Sequence, residues 1–271
     1  MENTDTLQGS NPNVLKRLPR SQKKRLKREK KRLARRLKRP EVKKRRKSIM
    51  RSERENLLSS LSPDERELYI TNLRRTNYEK AVELNNFLEK SYKEGLPICI
   101  DCSFGEDMNS KEIRSLAKQI SLCYNLIKKY KIPIRLTLTS FSQSSSIYED
   151  CQLFGFNNWK VHVHDCGFWE LFDKDKIIVL SPDATECLEE LSNDKVYVIG
   201  GLVDTNVKKN KLLNKAISHN ISAKCLPIKK YVPNCKKTVL NVSTVFEILC
   251  LRLSSFSWEE SLTKCLPSRS L

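Results

Sequence analysis

Two short patterns of cysteine and histidine are the first places in this sequence where side chains could hold a metal ion. Cys99 and Cys102 form a CxxC pair inside a strand-like run, and His162, His164 and Cys166 alternate along another such run. Structural zinc is normally held by four such ligands, and neither pattern has a second pair near it in the sequence. We therefore expect no metal site. We expect the ten cysteines to be reduced thiols, because the sequence shows no apolar signal core.

A pair of glycines followed by an aspartate is the next candidate. Gly200 and Gly201 come directly after the apolar run 196–199, and Asp204 follows among apolar neighbours. Such a pair either makes a tight turn or lets a flat ligand approach the backbone closely, and the sequence leaves both open. The glycines also exclude several enzyme classes, because there is no GxGxxG for a dinucleotide, no P-loop and no GxSxG nucleophile elbow.

The elements that must position these residues alternate between strand-like and helix-like from Pro97 onward. Alternation of this kind predicts an α/β domain with a mostly parallel sheet and helices on both faces. The strand-like runs are 97–102, 134–139, 160–164, 176–180, 196–199 and 223–226. The helix-like stretches are 110–129, 183–191, 210–218, 243–253 and 257–265. Ligands of such sheets bind beyond the carboxyl ends of the strands, where Asp101, Ser181 and Gly200 fall.

The first 50 residues carry a concentrated positive charge. They hold 20 of the 51 lysines and arginines and only four acidic residues, whereas the rest of the chain is nearly neutral. Helix-forming residues between Ser21 and Lys38 predict a basic helical or disordered arm, with Ser21 capping the helix and Pro40 setting its end. Like charges repel along this segment, so that we expect it to be ordered mainly by a polyanion.

RNA is the favoured partner of this arm, and its charge alone leaves an acidic protein or a nuclear-import signal open. Binding to phosphates releases counterions, and such binding is strong, salt-dependent and largely blind to sequence. The chain has neither zinc-finger spacing nor leucine heptads after the basic run, which argues against a DNA-reading module. The residues expected to contact RNA are Lys23, Lys24, Arg25, Lys27, Arg28, Lys31, Arg32, Arg35 and Arg36.

Neither a membrane nor secretion is expected for this chain. No apolar stretch approaches the roughly 18 residues that a membrane-spanning helix needs. We expect a location in the nucleus, the cytoplasm or both, and the basic runs favour the nucleus.

Several linked motifs in the globular part resemble one family. The segments are 101–104, 180–183, 196–204, 226–228 and 240–248, followed by Trp258 and the pair Leu266 and Pro267. Together they resemble the tRNA N1-purine methyltransferases that act at position nine, a family of the SPOUT superfamily. The resemblance runs in order through residues 80–267, and a basic arm before the body is also a family feature.

The resemblance implies a sheet whose C-terminal part threads into a trefoil knot and forms a bent pocket for S-adenosylmethionine. It makes Asp204 the candidate general base, and it places Asp101 and Gln119 near the target base as further catalytic candidates. It also implies a monomer. The implied cofactor-binding residues are Leu180, Ser181, Ile199, Gly200, Gly201, Thr205, Asn206, Lys209, Leu213, Leu226, Pro227, Leu240, Asn241 and Val242.

The resemblance also divides the chain into three expected segments. Residues 1–58 form a basic RNA-binding arm, 59–95 a helical connector, and 96–271 a SPOUT-type methyltransferase domain. The connector is expected to start at Ser62 and Pro63, which suit a helix cap and first turn, and to end near Gly95.

The implied chemistry depends on which purine is methylated. N1 of guanine carries a proton at neutral pH, and a carboxylate in a semi-apolar pocket can accept that proton. N1 of adenine carries none, so that Asp204 would instead stabilise the positive charge that methylation creates. Guanine is the first expectation, and the sequence leaves adenine open. Two other functions also stay open: a non-catalytic RNA-binding scaffold subunit, and a SPOUT enzyme acting on ribosomal RNA.

Overall fold

The computed structural model describes residues 19–203, 209–236 and 238–266. The chain divides into two compact units, Met1–Thr76 and Asn77–Leu271. The first unit is helical where the structure describes it, and the second contains the sheet. Asp204, Thr205 and Asn206, three of the candidate site residues, lie outside the described residues.

Helix α1 (Arg20–Ser59) is longer than the sequence predicts. It begins at Arg20, directly after Pro19, so that the expected cap at Ser21 is wrong. It also continues through Pro40, where we expected it to end. Proline removes one backbone hydrogen bond, but helix-forming residues flank it, and Arg51 and Glu55 pair one turn apart at 2.8 Å. None of the residues of α1 is buried.

Helix α2 (Pro63–Glu94) confirms the helix predicted to start at Ser62 and Pro63 and to end near Gly95. The Ser62 N–H donates to Glu65 Oε2 at 2.9 Å, and the Glu65 N–H donates to Ser62 Oγ at 3.4 Å. This reciprocal capping satisfies two backbone donors that have no partner inside the helix. The helix ends before Gly95, where a side chain would meet the Ser91 carbonyl oxygen at 2.5 Å. A glycine is therefore required at the step from helix to sheet.

Six strands form one parallel sheet in the second unit, which confirms the predicted α/β class. Their order across the sheet is β3-β2-β1-β5-β4-β6, and every pairing between these strands is parallel. Each of the six predicted strands is found, although β3 and β6 are shorter than expected. The strands are β1 (Leu96–Asp101), β2 (Ile134–Thr139), β3 (His162–Val163), β4 (Ile177–Leu180), β5 (Val196–Gly200) and β6 (Ser222–Lys224).

Helices connect and cover the strands, and four of the five predicted helices are present. The helices after β1 are α3 (Ser110–Tyr130), α4 (Ser146–Gln152), α5 (Phe168–Leu171), α6 (Lys211–Ser218), α7 (Ile228–Tyr231), α8 (Val242–Leu253) and α9 (Trp258–Cys265). The helix predicted over 183–191 is wrong. Its backbone bonds across the sheet edge instead, because Cys187 pairs with Cys225 as a parallel bridge and the Leu188 N–H donates to the Cys225 carbonyl at 2.8 Å.

The two faces of the sheet bury separate apolar clusters. Ile98 and Ile100 of β1 face the larger cluster, which includes the buried side of α3 together with α8 and α9. Cys99 faces the smaller one, with Phe168 of α5 and Ala216 of α6. Side chains alternate along a strand, so that Asp101 shares the face of Cys99.

Candidate active site at the carboxyl edge of the sheet

The strand register brings the predicted site residues to one edge of the sheet. Asp101, the last residue of β1, lies opposite Gly200 of β5. Leu180, the last residue of β4, lies opposite Ile199 on one side and Lys224 on the other. Four strands therefore end side by side, as expected for the ligand-binding edge of a parallel sheet.

Asp101 is fully buried at this edge and both of its carboxylate oxygens are engaged. Oδ1 accepts the Ser103 N–H at 3.1 Å, and Oδ2 accepts the Ser103 hydroxyl at 2.9 Å and the Lys215 ammonium at 3.2 Å. Lys215 also donates to Ser103 Oγ, and its Nζ lies 4.8 Å from the ring centres of both Phe104 and Trp169. The carboxylate thus ties the turn after β1 to helix α6.

The glycine pair makes the close approach that its sequence suggests, and the group that approaches is the chain's own backbone. The Gly201 N–H donates to the Asp101 carbonyl oxygen at 2.8 Å, and a Cβ on Gly201 would lie only 2.6 Å from that oxygen. A Cβ on Gly200 would lie 2.9 Å from Leu212 Cδ2 of α6. The two glycines therefore let β1, β5 and α6 meet at one point.

The apolar members of the predicted cofactor set belong to the larger apolar cluster. Leu180, Ile199 and Val242 are buried in the larger cluster, and Leu226 and Leu240 pack against it. Of the other described members, Ser181 and Pro227 are buried, Leu213 is half-buried, and Lys209 and Asn241 are exposed. Leu180 and Ile199, which the strand register pairs, thus place apolar side chains next to the glycine pair.

Gln119 belongs to the opposite layer from the Asp101 carboxylate. It lies on α3 and is only 8% exposed, and its Nε2 donates to Ser115 Oγ at 3.4 Å. Its amide oxygen is buried without a hydrogen-bond partner. No hydrogen bond joins it to Asp101 in the described structure. A buried acceptor without a partner is costly, which marks Gln119 as a place where a ligand donor would be stabilised.

The predicted RNA-contacting residues, from Lys23 to Arg36, all lie on α1 and are all exposed. The helix therefore displays a continuous cationic surface, as a phosphate-binding arm requires. Their contact with RNA stays a prediction.

Sequence reasoning missed Lys215 and the aromatic residues around it. The Trp169 indole stacks on the His219 ring at 4.3 Å, and it also fills the space that a Gly167 side chain would occupy. No local pattern distinguishes Lys215 from the other lysines of the chain, because its importance comes from a partner 114 positions away.

The cysteine and histidine patterns serve packing within the described structure. Cys99 Sγ lies 3.3 Å from Thr139 Oγ1, and the His162 ring stacks on Tyr92 at 4.0 Å. The described ranges contain no cluster of three or more potential ligands that could hold a metal ion. A search of the same ranges for a helix long and apolar enough to cross a membrane also finds none.

A cavity in the described part of the chain lies away from the candidate site. It has a volume of about 740 Å³ and is lined by residues at the amino ends of the strands, among them Leu96, Arg135, Lys176 and Val196. Ligands of parallel sheets bind at the opposite edge, and none of the predicted site residues lines this cavity. This cavity is therefore not the candidate active site.

Comparison with known proteins shows which family the chain matches. The family model described as tRNA (guanine(9)-N(1))-methyltransferase TRM10/TRM10A matches residues 15–271. The tRNA (guanine(9)-N1)-methyltransferase of Schizosaccharomyces pombe is 36% identical over 186 residues, which are 67% of this chain and 61% of that protein. The human tRNA methyltransferase 10 homolog B is 32% identical over 197 residues, which are 70% of this chain and 62% of that protein.

A solved structure extends the likeness to the fold. The crystal structure of full-length spTrm10 in complex with SAH superposes with a TM-score of 0.58 at 33% identity, covering 63% of this chain and 94% of that one. The chain spans about three fifths of the length of the curated relatives that it matches. By the match over nearly its whole length, the chain belongs to the TRM10/TRM10A family of tRNA (guanine(9)-N(1))-methyltransferases.

Proposed function

We propose that this protein transfers the methyl group of S-adenosylmethionine to N1 of the guanine at position nine of tRNA. The observation that carries the proposal is the family match over residues 15–271, together with the convergence of the family's motifs at one edge of the sheet. The matched range of residues includes the strand ends that hold Leu180, Gly200 and Gly201. A non-catalytic scaffold would not need the residues of a cofactor site at these strand ends.

The residues at this edge fit the proposed cofactor. An adenosyl group needs a flat apolar wall, which Leu180, Ile199 and Leu226 offer at the strand ends next to the glycine pair. The crystal structure of spTrm10, a relative at 33% identity, is a complex with SAH, which supports a cofactor of this class. The cofactor supplies an activated methyl group with its own leaving group, so that the protein's task is orientation and proton removal.

Asp204 is the proposed acceptor of the guanine N1 proton. The residue follows the glycine turn in sequence, although it lies outside the described residues. A carboxylate among apolar neighbours is a stronger base than one in water, because burial disfavours its charged form. The Gln119 amide oxygen, which has no partner, is a second group proposed to meet the substrate, as an acceptor for a base N–H.

The rest of the molecule is proposed to deliver the tRNA. In this proposal the arm of residues 1–58 grips phosphates, the connector of 59–95 joins it to the body, and the domain of 96–271 receives the base. We also infer that the C-terminal part forms the trefoil knot implied by the family, and that the protein acts as a monomer.

Methyl transfer to defined transcripts tests the proposal. Purified full-length protein is incubated with labelled S-adenosylmethionine and two tRNA transcripts that differ only in guanine or adenine at position nine, and the product is mapped. We expect N1-methylguanosine at that position, and an Asp204→Asn variant that binds SAH normally but is slower by about 100-fold, the usual size of a general-base contribution. Tight binding of both transcripts without methylation would favour the RNA-binding scaffold instead.

A further inference from the structure

Cys187 and Cys225 form a pair of thiols at the edge of the sheet, and neither has a role in the proposed reaction. Their sulfur atoms lie 3.0 Å apart although the residues are 38 positions apart in the chain. Cys187 is the one exposed cysteine of the ten, all of which lie in the described part of the chain, and Cys225 is half-buried. The pair is therefore open to a reagent in solution.

The backbone already holds the two residues at the separation that a disulfide needs. They form a parallel bridge, the Cys225 N–H donates to the Glu186 carbonyl at 2.7 Å, and the Leu188 N–H donates to the Cys225 carbonyl at 2.8 Å. Residues paired in this way lie about 4.8 Å apart, within the roughly 4.4–6.8 Å between Cα atoms that disulfides span. A bond of about 2.05 Å would require the sulfur atoms to approach by only about 1 Å.

The environment of the pair differs from that of the other cysteines. Cys99, Cys102, Cys123 and Cys250 are buried in the core, and burial raises their thiol pKa values far above the ordinary range. A thiol in such a place is inert, because only the thiolate attacks a disulfide and no reagent reaches it. A disulfide reagent in solution therefore reacts first with Cys187, which is exposed.

We propose that Cys187 and Cys225 are a reversible disulfide site that is closed by low-molecular-weight disulfides of the glutathione type. The Cys187 thiolate attacks one sulfur of glutathione disulfide, which forms a mixed disulfide and releases one glutathione thiolate. The Cys225 thiolate then attacks Cys187 Sγ, which closes the protein disulfide and releases the second glutathione. Two protein thiols are oxidised, one glutathione disulfide is reduced, and the two protons leave with the two glutathione molecules.

Closing this bond would act on the candidate cofactor site. Cys225 directly precedes Leu226 and Pro227, and the segment of Cys187 follows Ser181, so that the disulfide joins two walls of the same edge. The bond fixes the two segments relative to each other, which restricts the adjustment that a bound adenosyl group requires. This consequence rests on the proposed function. We expect SAH affinity to fall by about fivefold or more, the lower end of ordinary coupling between two sites.

Redox titration of the full-length protein tests the disulfide. Reduced protein is equilibrated anaerobically with glutathione and glutathione disulfide in varied ratios, quenched with acid, alkylated, and analysed by intact and peptide mass. We expect the wild type to lose two hydrogen atoms and to yield one cross-linked peptide joining Cys187 to Cys225. We expect Cys225→Ser to stop with one glutathione on Cys187. A matched control, Cys166→Ser, removes a half-buried cysteine outside the pair and should behave like the wild type.

Repeating the titration at several pH values tests whether attack by Cys225 is the second, closing step. Burial, followed by the contact with Cys187, raises the pKa of Cys225 to about 11. The closing step should therefore accelerate as the pH rises from 7 towards that value, since more Cys225 is thiolate. Protein that stays reduced at a large excess of glutathione disulfide, or that cross-links other cysteines, overturns the proposal.

Calorimetric titration with SAH then separates this inference from the proposed function. Weaker SAH binding by oxidised wild type, with unchanged binding by Cys187→Ser under the same oxidant, supports the coupling. Equal affinity of reduced and oxidised wild type overturns it. An absence of SAH binding to the reduced protein contradicts the proposed function, while the mass measurement still decides the disulfide.

Discussion

Lys215 makes the contact that links the carboxyl end of β1 to α6. Its ammonium group pairs with a carboxylate that has no exposed surface, and the lysine side chain itself is only 20% exposed. Phe104 and Trp169 shield the pair from water on two sides. Breaking an ion pair in such a place is strongly destabilising, because removal of one partner leaves an uncompensated buried charge.

Replacing Lys215 by methionine tests this ion pair. Lys215→Met keeps most of the side-chain volume but removes the charge, and we expect it to lower the free energy of unfolding by about 3 kcal/mol, the cost of leaving one buried ion unpaired. Denaturant unfolding measures the change. Lys215→Arg, which keeps the charge, should be destabilised much less. If the two variants were equally destabilised, packing rather than charge would be the important property of Lys215.

The position of Gly201 leaves no room for a side chain. The Cβ of Gly201→Ala would meet the Asp101 carbonyl oxygen at 2.6 Å, so that the backbone of β1 or β5 must shift. We expect a destabilisation of about 1–3 kcal/mol and a loss of SAH affinity of about tenfold. Thermal unfolding and calorimetry measure the two effects. Gly105→Ala is the matched control, since its nearest neighbour is Ile147 Cδ1 at 4.0 Å.

Helix α1 illustrates what a single element contributes when it has no core of its own. It has no buried residue, so that its stability depends on local propensity and on whatever binds its cationic surface. Its exposed leucines, Leu26, Leu33 and Leu37, are too sparse to support packing along the whole helix. Binding of phosphate is therefore the interaction that suits this element, and its signature is salt dependence.

Replacing four basic residues of α1 by glutamine tests that signature. In a variant with Lys24, Arg28, Lys31 and Arg35 changed to Gln, we expect weaker tRNA binding and a flatter dependence of log affinity on log salt. The slope should fall by about 0.7–0.9 for each phosphate that the variant no longer neutralises. Binding isotherms at several salt concentrations give the slope. Leu26→Ala with Leu33→Ala is the control, and it should leave the slope unchanged, as should SAH affinity in both variants. An unaltered slope in the glutamine variant would reject the arm as the phosphate-binding element.

At the scale of the whole molecule, the buried cysteines link the stability of the second unit to alkaline pH. Burial raises the pKa of Cys151 to about 12, and it raises that of Cys123 well above the ordinary value of 9.0. The folded protein therefore keeps these protons at a pH where the unfolded chain has lost them. The resulting contribution to the free energy of unfolding is fully present below pH 9. It is lost as the pH rises from 9 through the pKa values that these thiols have in the folded protein.

Unfolding at pH 8, 9 and 10 measures this linkage. We expect the free energy of unfolding to fall above pH 9, with each buried cysteine contributing up to about 1.4 kcal/mol per pH unit. Cys123→Ala should be less stable at every pH but should show a shallower alkaline decline than the wild type. Parallel curves for the two proteins would show that Cys123 ionises equally readily in the folded and unfolded states.

The sequence by itself determined the layers and most of the elements. Apolar runs and helical periodicity predicted the six strands, α2, and the helices α3, α6, α8 and α9, because burial on one or both faces sets the spacing of apolar residues directly. The motifs at the strand ends also predicted which edge of the sheet holds the candidate site. Two predictions were wrong because a local sequence signal was outweighed by other interactions. Helix α1 continues through Pro40, and segment 183–191 pairs with Cys225 at the sheet edge instead of forming a helix.

Only the tertiary structure decided which distant residues meet. Asp101 meets Lys215, Gly201 meets the Asp101 backbone, and Cys187 meets Cys225, in each case across many positions of the chain. Residue types and local spacing do not specify these pairs, since strand order and crossover connections create them. The sequence thus determined where chemistry can occur in this protein, and long-range packing decided which atoms are held together there.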